Sequence, residues 1–166
     1  MILKYYRRMF IWTEIGFGKY EGKTLPQIVF ADPDYFFWAF ETGVFNKPGL
    51  ASQAAEVNRR ARRIAIPLGK GGQKRHAEYL FHAPTGKFGA MRLIPETQAA
   101  HQGSSGVAER LEVIDLSVPR SIKGYDKQGC GLLMATVKEY LFGDSGFRIT
   151  KKRAGDFFST DKNFAL

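Results

Sequence analysis

The segment at positions 50–64 constrains the fold more than any other, because its apolar residues recur at spacings of three and four. This spacing places them on one stripe of an α-helix. The stripe consists of Leu50, Ala54, Val57, Ala61 and Ile64. A helix with one apolar stripe needs a core to pack against, and a hydrophobic content of 44% with 14% aromatic residues supplies one. Full disorder is therefore excluded.

Basic residues are concentrated on the other side of this helix and directly after it. Residues 59–92 carry nine basic side chains and one acidic one, which accounts for +8 of the formal net charge of +9. The helix face opposite the stripe carries Arg59, Arg62 and Arg63, and the glycine-rich loop that follows adds Lys70, Lys74 and Arg75. Charge concentrated in this way indicates a polyanionic partner. The alternative interpretation is a solvated basic face.

The remaining pattern predicts an α+β fold. Glycines and aromatics alternate over residues 16–23, as in a tight hairpin, and Asp32 with Pro33 then begins a helix that ends at Gly43. Strands are expected at 79–82, 88–94, 111–118 and 147–150, a loop at 97–108 and a helix at 128–142. We expect a short hairpin plus helices over residues 1–64. A second α+β domain over residues 65–166 follows, with a small antiparallel sheet packed against one main helix.

The first segment resembles a known family. The residues that carry the resemblance are Phe17-Gly18-Lys19-Tyr20, Gly22-Lys23, Leu25, Asp32-Pro33, Tyr35 and Trp38. They are similar to the small C-terminal domain of exodeoxyribonuclease X-like proteins, and the similarity covers roughly residues 15–63. In that family the domain is an accessory piece of DNA-handling enzymes, so the resemblance implies a role in nucleic-acid binding. No nuclease domain is expected in the 16 residues before Phe17, so the resemblance does not imply nuclease activity.

The same segment carries groups suited to nucleic acid. Lys19 and Lys23 bracket a glycine-rich turn, where ammonium groups and backbone N–H groups can meet a phosphate. Tyr20, Tyr35 and Trp38 would stack on bases if they are exposed. A cluster of aromatics on a short helix is otherwise typical of a core, and Trp38 is expected to pack near the helix at 50–64.

No complete catalytic or metal-binding motif is visible. His76, Glu78 and His82 share one face of a predicted strand, but their spacing is not diagnostic of a metal site. Cys130 lies near a predicted helix start, yet a small buried cysteine is the more ordinary interpretation. The run at 69–72 lacks the spacing and the hydroxyl residue of a nucleotide-binding loop. We therefore predict no catalytic residue, no metal and no cofactor.

These observations predict a non-catalytic, cytoplasmic protein that binds nucleic acid, DNA rather than RNA. Its predicted contacts are Lys19, Tyr20, Lys23, Arg59, Arg62, Arg63, Lys70, Lys74 and Arg75. One alternative is a phage- or plasmid-type interaction protein that docks on an acidic protein or ribonucleoprotein. Another is a small nuclease whose second half is not recognised. No apolar run approaches the roughly 20 residues of a membrane span, and the N-terminus offers no small-residue cleavage site of a signal peptide.

Overall fold

The computed structural model describes residues 10–103 and 106–166, and it has the predicted α+β architecture. The helices of this part of the chain are α1 (Leu25–Ala31), α2 (Pro33–Glu41), α3 (Ala51–Ala61), α4 (Val118–Lys123), α5 (Lys127–Phe142) and α6 (Lys151–Phe158). Its strands are β1 (Ile64–Ala65), β2 (Arg75–His82), β3 (Lys87–Pro95), β4 (Gly106–Leu111) and β5 (Val113–Ile114). None of the helices described is long and apolar enough to cross a membrane.

The described part of the chain has a tight hairpin at residues 14–24, which leads into two short helices. Ile15 and Lys23 pair across the hairpin, with 2.8 Å between the Ile15 nitrogen and the Lys23 carbonyl oxygen. Helix α1 was not predicted; its first turn is closed by reciprocal hydrogen bonds between Thr24 and Gln27. Helix α2 starts as predicted, because the Asp32 carboxylate accepts a hydrogen bond from the Tyr35 backbone N–H at 3.1 Å.

Helix α3 buries its apolar stripe as predicted. No residue of the stripe from Leu50 to Ile64 is more than 5% exposed. The chain continues into β1, which pairs with β5 in antiparallel register, Ile64 opposite Ile114. An isolated antiparallel β-bridge pairs Ile64 with Phe164, so the residues around Phe164 lie beside β1.

The second sheet has three antiparallel strands in the order β3-β2-β4. The predicted hairpin between β2 and β3 is confirmed, and its turn lies at residues 83–86. Helix α5 packs against β3, and Tyr79 at the centre of the sheet is fully buried. Burial raises the pKa of the Tyr79 hydroxyl, which accepts a hydrogen bond from the Asp115 backbone N–H at 2.8 Å.

Two predicted strands are wrong. The chain at 111–118 ends β4, forms the short β5 and then turns into α4, because the Asp115 carboxylate binds the Ser117 backbone N–H at 2.8 Å and Pro119 starts a helix. Residues 147–150 form no strand, since the Thr150 side chain caps α6. The predicted loop at 97–108 is shorter at its end, where β4 begins at Gly106; residues 104 and 105 lie outside the described part.

The core is one cluster of buried side chains drawn from both sides of position 64. At its helical end Phe30 meets the rings of Phe157 and Phe158 edge to face, each at a centroid distance of 5.3 Å. Phe142 adds a third edge-to-face contact with Phe30 at 6.4 Å. These rings join α1 to α5 and α6, so helices distant in sequence share their packing.

Candidate nucleic-acid interface

The arginines of α3 are held by different partners. Arg62 is only partly exposed, which corrects the expectation that it lies free on the helix surface. Its guanidinium donates to Ser117 Oγ at 2.8 Å and lies 4.7 Å from the centre of the Phe37 ring. Arg59 pairs with Glu56 at 2.8 Å. Two arginines of the basic block thus have structural partners that reduce their availability to a ligand.

Arg63 follows the end of α3 and is linked to the surroundings of the basic loop through Ala165. It donates to the backbone carbonyl of Ala165 at 2.5 Å, and Ala165 lines a cavity of about 320 Å³ together with Lys74 and Arg75. Arg75 itself donates to the Pro67 carbonyl at 2.8 Å. Lys70 and Lys74 are exposed.

This cavity is mixed in charge, because Glu96 and Glu112 also line it. Elsewhere in the block, Arg60 is buried between Glu56 and Asp161, and Arg92 pairs with Glu78 at 2.6 Å. The basic block of the sequence is therefore not one basic surface in the fold.

A second cavity, which we call the aromatic cleft, combines exposed rings with basic groups. Its volume is about 390 Å³, and its walls are Lys19, Asp32, Asp34, Tyr35, Trp38, Arg120, Tyr125 and Lys127. Trp38 is 42% exposed and Tyr125 is 71% exposed. The expectation that Trp38 packs near α3 is corrected to this extent: its ring lies beside Tyr35, at a centroid distance of 5.7 Å.

The hairpin reaches the cleft through Asp32. One oxygen of this carboxylate accepts hydrogen bonds from the Tyr20 hydroxyl at 2.6 Å and from the Lys19 ammonium at 3.2 Å. Burial raises the pKa of Asp32, but the hydrogen bonds from Tyr20, from the Tyr35 N–H and from Lys19 outweigh it and hold the pKa below its ordinary value. Lys19 lies in the wall of the cleft. Tyr20 binds the Asp32 carboxylate but does not itself line the cleft, and Lys23 is exposed outside it.

Helices α4 and α5 supply the opposite wall. The Arg120 guanidinium pairs with Asp34 at 3.3 Å and with Glu41 at 3.2 Å, which ties α4 to α2. Asp126 caps α5 by accepting from the Gly129 N–H at 2.9 Å. In the sequence, Tyr125 lies between Arg120 and Asp126. Because the side chains of both residues are bonded, the chain is held on each side of the exposed Tyr125 ring.

A shallow groove continues from the cleft, and we call it the lysine groove. Its volume is about 460 Å³, and its walls are Lys87, Lys123, Tyr125, Asp126, Lys127 and Gln128. It shares Tyr125 and Lys127 with the aromatic cleft. All three lysines are exposed, whereas the Asp126 carboxylate is buried. Together the two features form one surface that is lined by five basic and three acidic side chains, so it is mixed in charge with basic groups in excess.

Sequence reasoning missed the half of this surface that lies at 120–127. The sequence feature that could have predicted it is the run Lys123-Gly124-Tyr125-Asp126-Lys127, in which a tyrosine lies between two lysines. Basic residues that alternate with an aromatic are typical of nucleic-acid contacts.

The groups considered for catalysis are engaged elsewhere. Glu78 is fully buried, and its oxygens accept hydrogen bonds from Arg92 and from the His101 backbone N–H. His82 is paired with the Thr85 hydroxyl at 2.8 Å. In the described part of the chain, no three or more histidine, cysteine or carboxylate side chains lie together as metal ligands would. Burial, reinforced by the neighbouring carboxylates of Asp34 and Asp126, raises the pKa of the Cys130 thiol to about 12. The thiol is therefore protonated at neutral pH.

Four residues that carry the family resemblance line the aromatic cleft: Lys19, Asp32, Tyr35 and Trp38. No protein-family model, curated protein or solved structure matches the chain. The resemblance to the exodeoxyribonuclease X-like domain stays a prediction, and the function proposed below is argued from the geometry of the described residues.

Proposed function

We propose that the protein is a non-catalytic nucleic-acid-binding protein whose ligand is a single strand held across the aromatic cleft and the lysine groove. One observation carries the proposal. Two exposed aromatic rings, Trp38 and Tyr125, lie in a cleft whose walls also carry the exposed lysines Lys19 and Lys127. Rings supply stacking platforms for bases, and cations supply contacts for phosphates; proteins that bind single strands combine the two.

Single-stranded ligands fit this surface better than duplexes do. In a duplex the faces of the bases are stacked on each other, so a protein ring can reach them only where a strand is unpaired. The aromatic cleft has a volume of about 390 Å³, which lies in the range of small-molecule sites. It therefore suits an unstacked nucleotide, with the neighbouring phosphates along the lysine groove.

The proposal predicts the salt dependence of binding. Each phosphate contact on a single strand contributes about 0.7 to the slope of log affinity against log salt concentration. Four exposed lysines border the surface: Lys19, Lys87, Lys123 and Lys127. If each contacts one phosphate, the slope is about −3. Stacking on each ring adds about 1–3 kcal/mol that salt does not screen.

Fluorescence anisotropy with a labelled single-stranded 12-mer and a duplex of the same sequence tests the proposal. The variant Lys123→Glu with Lys127→Glu should lose at least about tenfold in affinity and should show a shallower salt slope. The matched control is Lys70→Glu with Lys74→Glu, which changes the net charge equally on exposed residues of the basic loop. This control should bind nearly as the parent does.

Each other outcome contradicts the proposal in a distinct way. A larger loss in the control would place the site on the basic loop, and equal losses would show that only net charge matters. A parent that binds neither oligonucleotide would favour docking on an acidic protein instead.

Tryptophan fluorescence tests the stacking contact directly. The chain has two tryptophans, and Trp12 is partly buried with its indole N–H bonded to Ser159 Oγ at 3.0 Å. In a Trp12→Phe variant, Trp38 is the sole indole reporter. A bound strand should quench its emission, and Trp38→Ala should weaken binding at least about fivefold. Unchanged emission at saturation would show that Trp38 is not a stacking platform.

A further inference from the structure

Three lysines from three different elements line the lysine groove. Lys87 is the first residue of β3, Lys123 is the last residue of α4, and Lys127 is the first residue of α5. In the part of the chain that the structure describes, no ion pair involves any of the three. Positive charges that lie along one groove without acidic partners attract an anion to it.

The fold anchors the backbone of these lysines around Asp126. The buried Asp126 carboxylate accepts a hydrogen bond from the Phe88 backbone N–H at 3.4 Å. Phe88 directly follows Lys87, and Asp126 directly precedes Lys127, so this contact connects the start of β3 to the start of α5. Helix α4, which ends at Lys123, packs against both elements. The three lysines therefore extend from elements that pack together.

The charge of the lysine groove fits a dianion. Its three lysine ammonium groups and the Asp126 carboxylate leave a formal charge of +2. An internal phosphate of a strand carries one negative charge and two free oxygens. A terminal phosphate monoester carries a charge of about −2 at neutral pH and three free oxygens, each of which can accept a hydrogen bond from an ammonium group. Internal phosphates can also enter the groove, but each leaves part of its positive charge without a partner.

The aromatic cleft, in contrast, offers a phosphate little unpaired charge. Lys19 is paired with Asp32 at 3.2 Å, and Arg120 is paired with Asp34 at 3.3 Å. The two carboxylates in its walls repel a phosphate, whereas an uncharged base can stack on Trp38. A nucleotide is thus expected to place its base in the cleft and its phosphate in the groove.

We propose that the lysine groove binds the terminal phosphate of a single strand, so that the protein holds the strand by a phosphorylated end. This inference rests on the proposed function, since it assumes that the terminal base enters the aromatic cleft. Tyr125 and Lys127 line both cavities, so the two cavities adjoin, as the base and the phosphate of one nucleotide require. Phosphates at the 5′ and 3′ ends share this chemistry, and the test distinguishes them.

The ligand arm of the test uses single-stranded 12-mers of one sequence that differ only at one end. In one set the 5′ end carries a hydroxyl, a phosphate or the methyl ester of that phosphate, and the 3′ end carries the fluorescent label; in the other set the ends are exchanged. In at least one set the parent should bind the phosphate strand about tenfold more tightly than the hydroxyl strand, as expected for an added hydrogen bond between charged groups. The methyl ester has only the charge and the free oxygens of an internal phosphate, which every strand already supplies. It should therefore bind within about twofold of the hydroxyl strand.

The protein arm uses Lys87→Gln with Lys123→Gln, because these two residues line the groove but not the cleft. Both side chains are exposed, so the variant should fold as the parent does, which circular dichroism checks. Its preference for the phosphate strand should fall to about twofold or less. The matched control is Lys70→Gln with Lys74→Gln, which removes the same charge from exposed residues of the basic loop and should keep the tenfold preference.

The outcomes separate the two proposals. Equal binding of the phosphate and hydroxyl strands in both sets, with loss of affinity in the variant Lys123→Glu with Lys127→Glu, would overturn the recognition of strand ends and leave the proposed function standing. A methyl ester that binds as tightly as the phosphate, or a preference that survives in the variant of Lys87 and Lys123, would also overturn it. A parent that binds none of the strands would overturn the proposed function, and the inference with it.

Discussion

Replacing Asp32 tests the hydrogen bonds that connect the hairpin to the first turn of α2. In Asp32→Ala the Tyr35 N–H loses its cap at 3.1 Å and the Tyr20 hydroxyl loses its acceptor at 2.6 Å. Loss of an N-cap costs about 1 kcal/mol, and loss of a partly buried hydrogen bond costs about as much again. The exposed Lys19 ammonium adds little. We expect the free energy of unfolding to fall by about 2 kcal/mol, which lowers the melting temperature by about 4–8 °C in a chain of this size.

The assay is urea denaturation followed by circular dichroism, with Asp32→Asn as the matched variant. Asparagine caps a helix about as well as aspartate, so this variant should lose about 1 kcal/mol or less. If the two variants unfold at the same urea concentration, the cap is not the source of the stability. If Asp32→Ala unfolds at the same concentration as the parent, the whole argument is refuted.

The pH dependence gives an independent check on Asp32. Its pKa lies below the ordinary value of 3.8 in the folded protein. The ionised carboxylate therefore stabilises the fold fully above about pH 5, and this contribution is lost as the pH falls through the folded pKa. The stability difference between the parent and Asp32→Asn should be constant from pH 7 to about pH 5 and should shrink below about pH 4. A difference that grows on acidification would contradict the assigned contacts.

Three further changes test the packing of the helices. Val57→Asp places a charge at a position with no exposure and should destabilise the protein by about 4 kcal/mol or more in thermal melts; a parent-like melt would refute the burial of α3. Gly143→Ala should cost about 1 kcal/mol in urea denaturation, because φ at this helix end is +75°, whereas Gly131→Ala in the open middle of α5 should gain about 0.5 kcal/mol. Cys130, buried and protonated, should resist iodoacetamide at pH 8 until the protein is unfolded, and equal labelling rates would show that it is accessible.

Local signals in the sequence were sufficient for the elements that have strong ends or a clear period. The stripe of α3, the Asp32 cap of α2 and the turn between β2 and β3 are all present in the structure. Helix α1 was missed because it is short and buried along most of its length; the pair Thr24 and Gln27 was its visible signal. The strand predicted at 111–118 failed because alternation of apolar residues fits both a strand and a turn into a helix.

The candidate site was only half predictable. Lys19, Tyr35 and Trp38 come from one short segment with a recognisable pattern, whereas Arg120 and Tyr125 reach the cleft only because α5 packs against both α2 and α4. No local pattern encodes that packing. The division into two domains at residue 64 stays a prediction. One buried cluster contains residues from both sides of this position, so two domains divided there would share a core.

The edge-to-face contacts of Phe30 have a spectroscopic consequence. Its ring is 2% exposed and is surrounded by Phe142, Phe157 and Phe158. In an interior packed as densely as a crystal, such a ring cannot turn by a half rotation unless its neighbours move apart. The two sides of the Phe30 ring should therefore give separate resonances in nuclear magnetic resonance spectra at low temperature. The temperature at which these lines merge measures how often α1, α5 and α6 separate far enough for a ring to turn.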